Sequence, residues 1–98
     1  MDRNAARLAI DAQLNDLCAQ RDAATDAATK ASLNRAIAKL EYTSDQIDIA
    51  ANDAIGTRID ALVAQLQAVQ DESSTDAASA LRRTIGRLNE ARRGGGSS

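Results

Sequence analysis

Between Thr57 and Val69 the aliphatic residues Ile59, Leu62, Leu66 and Val69 recur at steps of three and four in a run that is otherwise largely polar or alanine. An apolar position about every 3.6 residues puts all four on one side of an α-helix, so the spacing predicts a helix with one buried seam. The pattern recurs along the chain. Ile10, Leu14, Leu17 and Cys18 predict a first helix over residues 4–22, capped by Asn4 and with Arg7 and Arg21 snorkelling at the ends of its seam. Leu33, Ile37 and Leu40 predict a second over 26–42, with Lys30, Arg35 and Lys39 largely outward. The third, carrying the opening seam, covers 44–71, and Leu81, Ile85 and Leu88 predict a fourth over 75–92.

Phase separates these elements. At about 100° per residue, Leu17 and Leu33 would lie about 160° apart on one continuous helix, so the seam would cross to the opposite face. A turn at 23–26 with Thr25 or Asp26 as the next cap removes the conflict. The same slip from Val69 to Ile85 predicts a turn in Asp71-Glu72-Ser73-Ser74-Thr75-Asp76, which supplies turn and cap chemistry. The middle of the chain admits two layouts. Thr43-x-x-Gln46 has the form of a capping box and favours a break there; yet Leu33, Ile37, Leu40, Ile47, Ala51, Ile55, Leu62 and Leu66 also keep roughly one face if helices two and three are continuous. The expected fold is therefore all-α: a small antiparallel bundle of two helical hairpins, or three helices with one long central rod. Gly56 reads as a tolerated helical glycine or as a kink in the third helix.

The two halves resemble one another. At an offset of 49, Ile10 falls on Ile59, Leu14 on Val63, Leu17 on Leu66 and Asp22 on Asp71; at 48, Leu33 falls on Leu81, Arg35 on Arg83, Ile37 on Ile85 and Leu40 on Leu88. Residues 4–42 and 53–91 form a candidate internal repeat, supported by the shared segments Thr25-Asp26-Ala27-Ala28 and Thr75-Asp76-Ala77-Ala78, although Ala-rich amphipathic helices align readily by chance.

Composition changes the picture in one respect. Seven Ile, nine Leu and two Val, with no Phe or Trp, leave the apolar content dominated by alanine, which buries little area at about 25 cal/mol per Å². Residues 1–93 make one thin helical domain, and a homodimer or another protein partner is expected. The last residues, Gly94 to Ser98, have the composition of a disordered linker, native or added in cloning. No apolar run is long enough to span a bilayer, the N-terminus lacks a signal-peptide pattern, and a single cysteine, Cys18, fits a reducing cytoplasm and a buried structural role.

Candidate chemistry is sparse. There is no histidine, which removes the commonest general base near neutral pH and most transition-metal sites. The carboxylate pairs Asp45 with Asp48 and Asp22 with Asp26 flank expected helix starts, where they complement the helix dipole. Gly94-Gly95-Gly96 follows a helix instead of opening one, so it is no phosphate loop. The sequence predicts no enzyme, cofactor, metal or small-molecule ligand.

Charge is uneven despite a net of -2. Residues 43–76 carry one positive and seven negative side chains, whereas 77–98 carry five and one. An acidic third helix beside a basic fourth would attract, within one chain or between two. Arg82, Arg83, Arg87 and Arg93, opposite Leu81, Ile85 and Leu88, form a candidate anion-binding stripe; Asp53, Asp60 and Asp71 form a candidate acidic face. The expected role is a non-enzymatic protein–protein interaction or assembly module of bacterial or phage type. The alternatives are a nucleic-acid-associated regulator using the Arg stripe, disfavoured by the acidic total and the lack of stacking aromatics, and a small acidic inhibitor of a basic-grooved partner.

Overall fold

In the computed structural model, which describes residues 1–94, the first helix is opened by Asp2, whose carboxylate accepts a hydrogen bond from the Ala5 amide at 2.7 Å. The expected cap, Asn4, instead lies within the first turn of that helix. The chain then forms α1 (Arg3–Ala23), α2 (Ala27–Ile49), a single 3₁₀ turn (Asn52–Ala54), α3 (Ile55–Asp71) and α4 (Thr75–Gly94), with no strand among the described residues. No helix is long and apolar enough to cross a membrane.

The two turns demanded by the phase slips are present. Ala24 adopts an extended conformation that ends α1, and Asp26 caps α2 by accepting from the Thr29 amide at 2.9 Å. The second turn spans residues 72–74, and the Ser74 carbonyl takes the first helical hydrogen bond of α4, from Ala78 N at 2.8 Å.

Of the two layouts expected for the middle of the chain, the four-helix bundle of two hairpins is present, but the break between helices two and three falls later than Thr43. The break is not at Thr43, because Thr43 is buried on the inner face of a helix that runs on to Ile49. The long central rod is also absent, since Ala50 and Ala51 turn the backbone to extended angles before the 3₁₀ turn and α3. A tertiary contact holds this end. Arg3, in the first turn of α1, donates through Nε to Ile47 O at 3.1 Å and through Nη2 to Ala50 O. Ile47 O otherwise receives only a long bond from the Ala50 amide at 3.4 Å, so Arg3 strengthens a weakly paired helix end, and a cation is favourable at the negative end of its dipole. Beside it, Arg7 pairs with Asp48 at 3.4 Å.

Short connections make consecutive helices antiparallel. Each packs against its neighbours in sequence, and α4 returns beside α1 to close the bundle; across the diagonals, α2 and α4 lie closer than α1 and α3. Ile10, Leu17, Leu33, Leu40, Ile47, Ile55, Ile59, Leu62, Leu66, Leu81 and Leu88 are fully buried between them. Buried Ala6, Ala36, Ala77 and Ala80 permit close helix approach. Cys18 and Leu14 are half-buried at the edge of this core. Thr84, also fully buried, satisfies its hydroxyl by donating to Ala80 O at 3.2 Å.

The offsets of 49 and 48 superimpose buried positions, Ile10 on Ile59, Leu17 on Leu66, Leu33 on Leu81, Leu40 on Leu88, as an evenly built bundle requires whatever its ancestry. They also place Asp26 on Ser74, the residues that precede α2 and α4, so Thr75-Asp76 is not the counterpart of Thr25-Asp26 in the fold. Helix α4 includes Gly94; residues 95–98, the rest of the stretch expected to be disordered, lie outside the described residues.

Gly56 does not kink a long helix, because α3 begins one residue before it. It is buried beneath Arg92 of α4, and a Cβ there would stand 2.6 Å from the guanidinium carbon. Removing the methyl lets α4 lay this side chain across the first turn of α3.

Candidate interaction surfaces

The four arginines proposed as one stripe divide into two lines. Arg83 and Arg87, one turn apart, face α1: Arg83 donates to Gln20 Oε1 at 3.0 Å, and Arg87 pairs with Asp16 at 3.4 Å. Arg82 and Arg93 lie about 100° round the helix from them, at about 100° per residue, and make no ion pair with any described residue. All four are exposed.

The acidic residues are similarly dispersed. Asp53 lies in the 3₁₀ turn, not on α3; Asp60 pairs with Arg92 at 3.4 Å; Asp71 is the last residue of α3, at the opposite end of the bundle from Asp53. The expected attraction between helices three and four thus reduces to one contact, Arg92 with Asp60, and the Nε that makes it is buried without meeting hydrogen-bond geometry. The other cross-helix arginine contacts of α4 run to α1. Asp45 and Asp48, read as flanking a helix start, sit in the last turns of α2 instead.

Beside the turn between α1 and α2 lies a polar cleft lined in part by Gln20, Asp26, Thr29 and Asp76. The Asp26 carboxyl is held below the usual carboxylate range by hydrogen bonds from the Thr29 amide and hydroxyl. Stabilising the ionised form suits a helix cap and weakens a proton acceptor. Among the described residues, no group of three or more Cys, Asp or Glu side chains could hold a metal ion.

One surface is set apart by what it exposes. Of the large hydrophobic residues, Leu8, Tyr42 and Ile49 stand out at 70%, 58% and 79% exposure. Tyr42 and Ile49 are seven residues apart on α2 and so lie on one line, about 10 Å from each other at 1.5 Å per residue. Arg35, Ala38, Lys39 and Tyr42 of α2, with Gln65 of α3, line an open groove between the two helices. The line continues as Ala28, Ala31, Arg35, Ala38, Tyr42, Asp45 and Ile49, every one exposed. Sequence reasoning centred on the inner seam passed over this outer one. Its signal was nevertheless present: a three-four repeat offset from Leu33, Ile37 and Leu40, and visible only once α2 is known to continue to Ile49.

A comparison with known protein families, characterised proteins and solved structures finds no match to this chain.

Proposed function

We propose that this bundle is a non-enzymatic protein–protein interaction module whose contact surface is the outer face of α2. The observation that carries this reading is the shared line of Tyr42 and Ile49, exposed in a chain that has so few large apolar residues and buries most of the others. Aromatic and aliphatic side chains left in water on one helical line are the usual anchors of a helix–helix interface. The reading includes a cytoplasmic location, which the single cysteine, unable to form an intrachain disulfide, supports.

The nucleic-acid alternative has less support, because two of the four arginines it needs are engaged by Gln20 and Asp16 of α1. The acidic-inhibitor alternative needs Asp53, Asp60 and Asp71 on one face, and they are spread along the length of the bundle.

A photo-crosslinking residue placed at Tyr42, with one at exposed Gln67 of α3 as control, tests the proposal in the native host. Adducts at position 42 that are absent at 67 and lost on Ile49→Lys are expected. No adduct at 42, or the same adducts at both positions, would overturn it. Binding to DNA or RNA that falls steeply with ionic strength and disappears on Arg82→Glu plus Arg93→Glu would instead favour the regulator.

A further inference from the structure

The outer face of α2 is complementary to itself. Numbered as a heptad, its exposed line puts Ala28, Arg35, Tyr42 and Ile49 at one core position and Ala31, Ala38 and Asp45 at the other. When two such helices pack antiparallel, the first set of one helix meets the second set of its partner. We infer that two copies of this chain associate through α2 about a two-fold axis at the level of Leu40, which points into each bundle behind the interface. This rests on the reading of α2 as the contact surface and names its occupant.

The register follows from size and charge together. With the axis at Leu40, Tyr42 of one copy lies over Ala38 of the other and Ile49 lies over Ala31, so each large side chain meets a methyl. Arg35 of each copy then faces Asp45 of its partner, and two-fold symmetry repeats every one of these contacts. A parallel pairing would instead stack Tyr42 on Tyr42, Arg35 on Arg35 and Asp45 on Asp45. Shifting the antiparallel register by a heptad would leave Ile49 beyond the partner helix or set Tyr42 opposite a charge. Flanking charges oppose this register weakly, since Lys39 approaches its own copy on one side and Glu41 its own on the other, exposed like charges that water and salt screen. Arg35 and Asp45 decide it. The adjacent face of α3 carries exposed Ala61, Ala64 and Ala68, small side chains that leave room for the second bundle.

Sedimentation of the full chain from about 1 to about 500 µM tests this. A concentration-dependent dimer is expected, weakened about tenfold or more by Tyr42→Lys or by Ala38→Arg. Arg35→Glu should also weaken it, and adding Asp45→Arg to that variant should restore it, since the swapped pair meets again across the axis. In a Cys18→Ala background, chains carrying Ala31→Cys mixed with chains carrying Ile49→Cys should form a mixed disulfide, and Ala31→Cys alone should not. These positions are exposed, so unchanged helical circular dichroism and melting check that each variant folds. A monomer at every concentration, or a dimer indifferent to Tyr42→Lys and to the charge swap, would overturn the inference. If the chain is monomeric yet crosslinks another protein through position 42, the interaction surface stands and the second copy falls. A seam-dependent dimer that captures nothing else from the host establishes self-association as the contact made there.

Discussion

The hydroxyl of Thr29, in the first turn of α2, lies 3.0 Å from that of Ser74, the residue before α4. The Thr29 hydroxyl also bonds Asp26 Oδ2 at 2.9 Å, and a carboxylate can only accept, so Thr29 gives its proton to Asp26 and Ser74 donates to Thr29. A directed chain, Ser74 to Thr29 to Asp26, thus joins the start of one hairpin's second helix to the start of the other's. Thr29 is buried, so its loss is felt. Thr29→Val keeps the shape and removes both hydroxyl bonds; at about 0.5 to 1.5 kcal/mol each, urea unfolding should show a loss of about 1 to 3 kcal/mol with an unchanged slope.

The same chain makes one pH dependence specific. The folded-state pKa of Asp26 lies below its unfolded value, so its contribution to stability is fully present above the unfolded carboxylate range near pH 4 and is lost as pH falls through the lower folded value. Asp26→Asn can still cap the helix but cannot titrate. The melting temperatures of the parent chain and this variant should differ most above pH 5 and converge as the pH falls towards 2. A constant difference across that interval would show that ionisation of Asp26 contributes nothing.

Leu62 and Leu66 carry the part of the core that α3 supplies. Both are fully buried, whereas Gln65 between them is exposed in the groove beside Tyr42. Either leucine changed to Ala should cost about 2 to 5 kcal/mol, and Gln65→Ala should stay within about 0.5, read by chemical denaturation. Equal effects at all three would mean that α3 presents a different face.

Gly56 and Arg92 should be coupled. Alanine is favoured over glycine in a helix by about 1 kcal/mol, but in the parent chain its methyl must displace the Arg92 guanidinium and disturb the contact with Asp60. Gly56→Ala should therefore be close to neutral in the parent chain and stabilising by about 0.5 to 1 kcal/mol once Arg92→Ala has cleared the space. A double-mutant cycle measures the difference.

What could be read from the sequence was decided by short-range rules. The turns after α1 and α3 were legible because Leu17 and Leu33, like Val69 and Ile85, cannot share the inner face of an unbroken helix, and because Asp26 supplies a cap. The junction after α2 was not. Ile47 and Ile55 keep phase across it, no Gly or Pro marks it, and the groups that hold it include Arg3, more than forty residues away. Thr43 and Gln46 imitate a cap because threonine is also small enough to be buried in a helix interface. Among the candidate site residues, exposure of the four arginines followed from their spacing opposite Leu81, Ile85 and Leu88. Their partners did not, because the sequence fails to say that α4 returns beside α1, where Asp16 and Gln20 wait for Arg87 and Arg83.

The clasp of Arg3 on the end of α2 also ties the open end of the first hairpin together. The last two turns of α2, which carry Asp45 and Ile49, receive part of their anchoring from a residue that reaches them only after α1 has folded back. The stability of these turns is therefore coupled to closure of the first hairpin. The amides near residues 47–51 should accordingly exchange with solvent whenever that hairpin opens, even while the N-terminal turns of α2 stay protected by Asp26 and Thr29. The end of the surface proposed to meet a second copy is thus held in shape only while the hairpin behind it is closed.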